Sequence, residues 1–233
     1  MINSNWRYRL SLNLLLFCLL AASCQQNNTG TPAHSGSADS LQTTTEMPKP
    51  KPMMSSLDQY VQDLIPDTTS IPEERKIALD SLANYIHRSA TALEPAKLTF
   101  ICTHNSRRSH MSQLWAAAAA AHYGLGDKVL TYSGGTESTA FNPRAVAAME
   151  RAGWQVESAD GDNPRYKLRY AENSPALECF SKKYDDSYNP QSHFAAVMTC
   201  SHADENCPFV PGADYRVSIP YEDPKASDGT AEE

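Results

Sequence analysis

The sequence predicts an α/β domain, a four-stranded parallel sheet flanked by helices, with an added helical hairpin in front of it. Three observations carry this prediction. Short β-prone runs fall at 98–102, 128–133, 194–199 and 215–219. The first two are each followed by a loop and a helix-forming segment, at 106–122 and 143–152. The length of 233 residues, 41% of them hydrophobic, is enough to bury one good core and too short for two large domains.

Taken in order, residues 1–24 read as a targeting segment. Arg7 and Arg9 form a basic start, and the apolar run at 10–20 is too short to span a bilayer comfortably. The segment ends Leu20-Ala-Ala-Ser-Cys24, which resembles a bacterial lipoprotein signal, with Ala21 where such signals usually carry Leu. That resemblance implies lipidation at Cys24, cleavage before it, and an exported, membrane-anchored protein of the cell envelope or periplasm. An ordinary secretory signal and an uncleaved anchor are the alternatives. Residues 25–56 are rich in Gln, Asn, Thr, Ser, Gly and Pro and read as a disordered tether that stiffens at Pro48-Lys-Pro-Lys-Pro52. An amphipathic helix is expected at 57–65. A second follows from Pro72 to about residue 88, with Glu73 and Glu74 suited to its first turn. Together, 57–94 read as a helical hairpin packed on the catalytic domain at 95–233.

The central stretch runs from Leu98 to Ser109. Its apolar strand stops at Cys102, and Thr103, His104, Asn105, Ser106, Arg107, Arg108 and Ser109 follow. Ser106 is expected to cap the next helix, which the alanines at 116–121 favour. A strand feeding a short loop and a helix N-terminus converges backbone N–H groups on one point, so an oxyanion is bound and a thiolate stabilised there. Cys102 then serves as nucleophile, Arg108 presents its planar fork to two oxyanion oxygens, and Asn105 and Ser109 hydrogen-bond the loop or the sulfur.

Cys-x5-Arg-Ser with Asn at the fourth position, after an apolar strand, resembles the low-molecular-weight protein tyrosine phosphatases and the thioredoxin-coupled arsenate reductases of the same fold. The later Tyr-Ser-Gly-Gly-Thr and Asn-Pro-Arg-Ala-Val strings are similar to the second βα unit of the reductases. The fold implied is that of the phosphatases, from about Ala96 onward.

Residues 158–193, rich in Asp, Asn, Pro, Ser and Tyr, read as an inserted loop region at one rim with weak strand-like pieces. Its tyrosines Tyr166, Tyr170, Tyr184 and Tyr188, with the distant Tyr221, are expected in ordinary half-buried packing rather than at the site. The third strand runs into Cys200-Ser-His-Ala-Asp-Glu-Asn-Cys207. Of six cysteines, Cys18 leaves with the signal and Cys24 takes the lipid, so Cys102, Cys179, Cys200 and Cys207 remain. Cys200 ends a strand parallel to that of Cys102, and Cys207 sits seven residues on, on what reads as a short mobile turn. This arrangement resembles the reductase branch specifically. It implies a relay in which Cys102 attacks arsenate, Cys200 attacks the Cys102 adduct, and Cys207 resolves the disulfide. A structural Cys200–Cys207 disulfide, and zinc held by Cys200, His202, Cys207 and His104, are the other readings of these residues.

The last strand leads to Tyr221-Glu222-Asp223-Pro224. In the family, the Asp of an Asp-Pro pair there protonates the leaving oxygen, and Asp223 takes that place. Three departures accompany the resemblance: Arg107 replaces a common cysteine and adds charge, His104 replaces a glycine, and Gln113 stands where reductases often carry a Glu. The family also continues into a C-terminal helix over one sheet face. With the chain ending at Glu233, exposed apolar surface is expected there.

The reading is thus of a cysteine-dependent oxyanion enzyme: an arsenate reductase, alternatively a tyrosine phosphatase with a phosphocysteine at Cys102, alternatively a non-catalytic anion-binding surface module. Its partners are arsenate or phosphate, or a phosphotyrosine protein, together with the membrane and a thiol–disulfide carrier. It needs no cofactor or metal beyond an external thiol reductant and acts as a monomer. A net charge of −7 argues against nucleic acid.

Overall fold

The computed structural model describes residues 53–91, 94–158 and 160–231. The expected signal, Cys18, Cys24 and the tether up to residue 52 lie outside them. Among the described residues, no helix is long and apolar enough to cross a membrane.

The elements in chain order are α1 (Ser55–Leu64), a 3-10 turn (Ile65–Ser70), α2 (Glu73–Thr91), β1 (Ala96–Cys102), α3 (Arg108–His122), β2 (Val129–Gly135) and α4 (Pro143–Arg151). Then come β3 (Gln155–Glu157), β4 (Tyr166–Arg169), β5 (Leu177–Cys179), β6 (Phe194–Met198), α5 (Ser201–Asn206), β7 (Ala213–Ser218) and a second 3-10 turn (Pro224–Ser227). The main sheet has the order β2-β1-β6-β7, and every neighbouring pair is parallel. Its central strands are buried on both faces, which is why β1 and β6 read as near-continuous apolar runs. From β1 the chain crosses through α3 to β2 on one side, and from β6 through α5 to β7 on the other. The crevice between the carboxyl ends of β1 and β6 is therefore a topological switch point, where α/β sheets place their sites.

One sheet face, carrying Leu98, Phe100, Ala195, Val197 and Val217, belongs to the main core with α2 and α3. Ile101, Ala196 and Met198 alternate to the other face, in a smaller cluster with Cys102, Cys200 and Ala203. In α3 every residue from Ser109 to Ala121 is buried. Alanine lets neighbours approach such a helix on all sides. In α4 Asn142 caps through its side chain, accepting from Arg144 N at 3.0 Å, and Pro143 opens the first turn.

Three expectations gain detail or are corrected. First, the two N-terminal helices each dock on a different part of the core. Tyr60 of α1 stacks on Trp115 at 5.4 Å, and Asp58 meets His122 at 3.3 Å. α1 also crosses close to Gly153 (φ +102), where a Cβ would fall 2.7 Å from Leu57 N. In α2, Tyr85 stacks on Tyr215 of β7 at 5.8 Å, and Arg75 donates to Pro220 O at 2.7 Å. Second, the sheet face expected to lie bare is covered: α2 lays Leu79, Leu82 and Ile86, all buried, against it. Each contributes about 1.5–3 kcal/mol. Among the described residues, only Ile77, Tyr188 and Phe209 are large apolar side chains left exposed. Third, the weak strand-like pieces expected within 158–193 are strands: β4, at the expected Tyr166 start, and β5 pair there, and β3 just before the stretch completes an antiparallel sheet of order β3-β4-β5.

Candidate active site

Cys102 is the last residue of β1 and is almost fully buried, paired in register with Gly135. Its Sγ lies 3.1 Å from Ser109 Oγ in the first turn of α3. Asn105, held in the left-handed region at φ 45°, donates from Nδ2 to the same Ser109 oxygen at 2.8 Å. With that oxygen already accepting, the Ser109 hydroxyl hydrogen is free to point at the sulfur. Asn105 Oδ1 in turn accepts from Lys182 N at 2.9 Å. A chain of three hydrogen bonds thus runs from the far side of the molecule to the nucleophile.

That far side is the segment around 181–189, in which the sequence singled out only Tyr184 and Tyr188. Ser181 Oγ donates to His104 O at 3.0 Å, and Gly135 N donates to Lys182 O at 2.9 Å. Asn189 Nδ2 donates to Ser133 O at 3.1 Å. Gly135 passes so close that a Cβ there would fall 2.7 Å from Asn105 N. Lys182 is buried, its ammonium 4.5 Å from the Phe180 ring centre and donating to Phe180 O at 3.3 Å. Burial pulls its pKa down to about 8. Burial likewise pushes the neighbouring Cys179 thiol up to about 12, so Cys179 is a packed, protonated residue. His110, fully buried with Nδ1 3.0 Å from Ser133 Oγ, is held well below the usual histidine range by burial and by the Lys182 charge.

The cavity in front of the loop has a volume of about 500 Å³. It is lined by Cys102, His104, Ser106, Arg107, Arg108, Thr139, Asn142, Asp223 and Lys225. Arg108 is held by Asp223 Oδ2 at 3.0 Å and by the Tyr221 carbonyl at 3.2 Å. Arg107 pairs with Asp228 at 2.6 Å and lies 3.8 Å from Asp223, while Arg144 reaches Asp228 at 3.2 Å. The charge that Arg107 brings is therefore largely committed to carboxylates.

Of the expected oxyanion-binding residues, His104, Ser106 and Arg107 reach the cavity. Thr103 turns to Cys200, while Asn105 and Ser109 organise the loop from inside. Ser106 does not cap α3: Arg107 holds that position and makes no capping bond. The first-turn N–H groups are thus left for an anion instead of a side chain. None of the five tyrosines lines the cavity. Thr139 and Lys225 went unread because each is an isolated polar residue on a loop.

On the other side of the crevice, buried Cys200 caps α5, its Sγ accepting from Ala203 N at 3.4 Å. Cys207 closes the same helix, and its carbonyl accepts from Arg216 Nε at 3.0 Å. Arg216 also pairs with Asp204 at 2.5 Å, and Asp204 accepts from Ser218 Oγ at 2.7 Å. The expected mobile turn is therefore a short helix pinned to β7. Burial raises the Cys207 thiol and nearby Cys200 adds to this, with Arg216 acting the other way. All four described cysteines are free. The six-residue helix between them separates the Cys200 and Cys207 backbones by about 10 Å, beyond the roughly 7 Å that a disulfide spans. His104 meets Glu137 at 3.5 Å, and no group of three or more ligating side chains gathers among the described residues.

A thiol ending a central parallel strand, an arginine six residues on and a carboxyl group facing both define an enzyme that attacks tetrahedral oxyanions through cysteine. Residues 97–164 match the family model of the low molecular weight phosphotyrosine protein phosphatases. An arsenate reductase of Halalkalibacterium halodurans is 31% identical over 134 residues, which cover 58% of this chain and 78% of that protein. An arsenate reductase of Bacillus subtilis is 29% identical over 141 residues, covering 60% and 83%. Arsenate reductase 2 of Staphylococcus epidermidis is 29% identical over 132 residues, covering 57% and 81%. The chain belongs to the low-molecular-weight phosphatase superfamily, in its arsenate reductase-like branch. It is accordingly a cysteine-dependent enzyme, an arsenate reductase or a phosphatase.

Proposed function

We propose that the chain reduces arsenate through Cys102, Cys200 and Cys207. The observation that supports this most is the placement of Cys200, buried in one apolar cluster with Cys102 and bonded to the residue that follows it. A phosphatase does not need a second thiol there, and in one the extra cysteines would serve only as redox protection. In this reading the Cys102 thiolate attacks arsenic, Arg108 clamps the oxyanion, and Asp223 gives a proton to the leaving oxygen. Cys200 then attacks the Cys102 sulfur. The S–As bond breaks with its electron pair going to arsenic, which leaves as arsenite. Cys207 attacks the Cys200 sulfur and frees Cys102, and an external thiol carrier restores the pair. For that third step α5 must unwind.

The second reading, a phosphatase, is favoured by Asp223, whose carboxylate sits on Arg108 in the cavity that holds Cys102. One experiment separates the two: turnover of arsenate with a dithiol, and of para-nitrophenyl phosphate, by the full chain and its Cys102→Ser, Cys200→Ser and Cys207→Ser variants. The reductase reading expects arsenite formation to vanish in all three. Efficient ester hydrolysis that depends on Cys102 alone, without arsenite, makes the protein a phosphatase.

The proposal includes export and a lipid anchor at Cys24, on the strength of the N-terminal pattern, so an envelope thiol carrier supplies the electrons. Labelling with a tagged fatty acid should then mark the wild type and not Cys24→Ala, and an unlabelled wild type would refute the anchor.

A further inference from the structure

We propose that His202 accepts the proton of Cys200, acting through the hydroxyl of Thr103 as a positioning residue for the second thiol. The inference rests on the reading in which Cys200 is a nucleophile.

Thr103 follows Cys102 directly, yet its side chain does not face the oxyanion cavity. Its Oγ1 lies 3.5 Å from Cys200 Sγ and 3.2 Å from His202 Nδ1. Its backbone is fixed, the carbonyl accepting from Glu137 N at 2.8 Å and from Thr136 Oγ1 at 3.2 Å. A hydroxyl has one hydrogen to give and two lone pairs with which to accept. Two arrangements use both contacts, one the reverse of the other; in the one that carries a proton off the thiol, the Cys200 S–H donates to Thr103 Oγ1 and the Thr103 O–H donates to His202 Nδ1. Both protons then point the same way, from sulfur to oxygen to nitrogen. His202 is exposed, so an imidazolium formed there is hydrated and can release its proton to water.

The other groups around α5 do not compete. Asp204 and Arg216 are paired with each other, Glu205 is exposed, and Cys207 closes the far end of the helix. When the Cys200 S–H bond breaks, its proton goes to Thr103 while the Thr103 proton goes to Nδ1 of His202. The Ala203 N–H, already donating to Cys200 Sγ, remains to hold the thiolate. That sulfur then forms the bond to Cys102. The two sulfurs lose two electrons, which arsenic gains as the S–As bond breaks.

The test is the pH dependence of Cys200 alkylation in the full chain, resolved by peptide mass spectrometry, for wild type, His202→Gln, Thr103→Val and Thr103→Ser. His202→Gln keeps a hydrogen-bonding group but takes no proton. Thr103→Val keeps the shape and breaks the path. Both should slow Cys200 alkylation about tenfold at pH 7 and converge on the wild-type rate at high pH, where solvent base removes the proton. Thr103→Ser should keep the wild-type profile. Profiles that superimpose, or rates lowered by one common factor at every pH, would overturn the inference, since a packing defect acts at all pH values alike. Failure of the reductase reading is seen separately. If arsenite is not formed by the wild type while the alkylation profile still depends on His202, the proton path stands and the substrate assignment falls.

Discussion

The two thiol sites face one crevice but are held in opposite ways. The Cys102 loop is fixed from behind by Asn105, Ser181, Lys182 and Gly135, each hydrogen-bonded to it or packed against it. Cys200 and Cys207 bracket a six-residue helix, largely polar and exposed, which rests on Ala203 and on the Arg216–Asp204 anchor. A helix of that length has no stability of its own in water, so it lasts only as long as its anchors. The difference follows from what each thiol must do. A nucleophile that binds a tetrahedral anion needs its N–H groups preorganised, whereas a pair of thiols that must meet needs the backbone between them to give way.

The sharpest way to break this contrast is Asn105→Ala, which removes the donor to Ser109 and orphans the Lys182 N–H. Turnover should fall about 100-fold, as when one preorganised donor is lost, and urea unfolding should show about 1–3 kcal/mol of destabilisation. A loss under threefold would mean the loop is not held from behind.

Lys182→Met probes the same support by pH. The lysine titrates at about 8 in the fold against 10.5 when unfolded, so between those values the unfolded chain binds more protons and wild-type stability rises with pH. The variant should be about 1–2 kcal/mol more stable than wild type at pH 7, and that advantage should shrink from pH 8 to 10. A pH-independent difference would contradict the burial of a charged ammonium.

On the yielding side, Asp204→Ala cuts the anchor to Arg216 and Ser218. Cys200–Cys207 disulfide formation under a mild oxidant should then run about tenfold faster, at a stability cost of about 1 kcal/mol. An unchanged oxidation rate would show that helix opening is not the barrier. The site should be least affected by Arg75→Met, which loses the cation–π contact to Tyr221 at 4.8 Å and the hydrogen bond to Pro220 O at 2.7 Å. Calorimetry should register about 1–2 kcal/mol, with amide exchange in the Cys102 loop unchanged.

What the sequence made legible was local. Strands ending at Cys102 and before Cys200, the loop arginine, Asp223 before a proline and the Asn142–Pro143 helix start are each written within a few neighbouring residues. What it hid was long-range. Lys182 meets Asn105 across 77 positions and Arg107 meets Asp228 across 121, and neither contact leaves a periodicity to read. Ser106 misled because the capping rule assumes that a helix start must be closed by a side chain. The cover that α2 gives the sheet was missed because an amphipathic face shows that a helix packs, without showing against what.

That cover also has a timetable. The apolar face of α2 comes off the ribosome before any strand it packs on, and its neighbour Tyr215 is made about 130 residues after Ile86. At roughly 5–20 residues per second, Leu79, Leu82 and Ile86 wait some 6–26 s for the last strand. Throughout that interval the nascent chain presents a greasy helix to whatever chaperone or membrane is near.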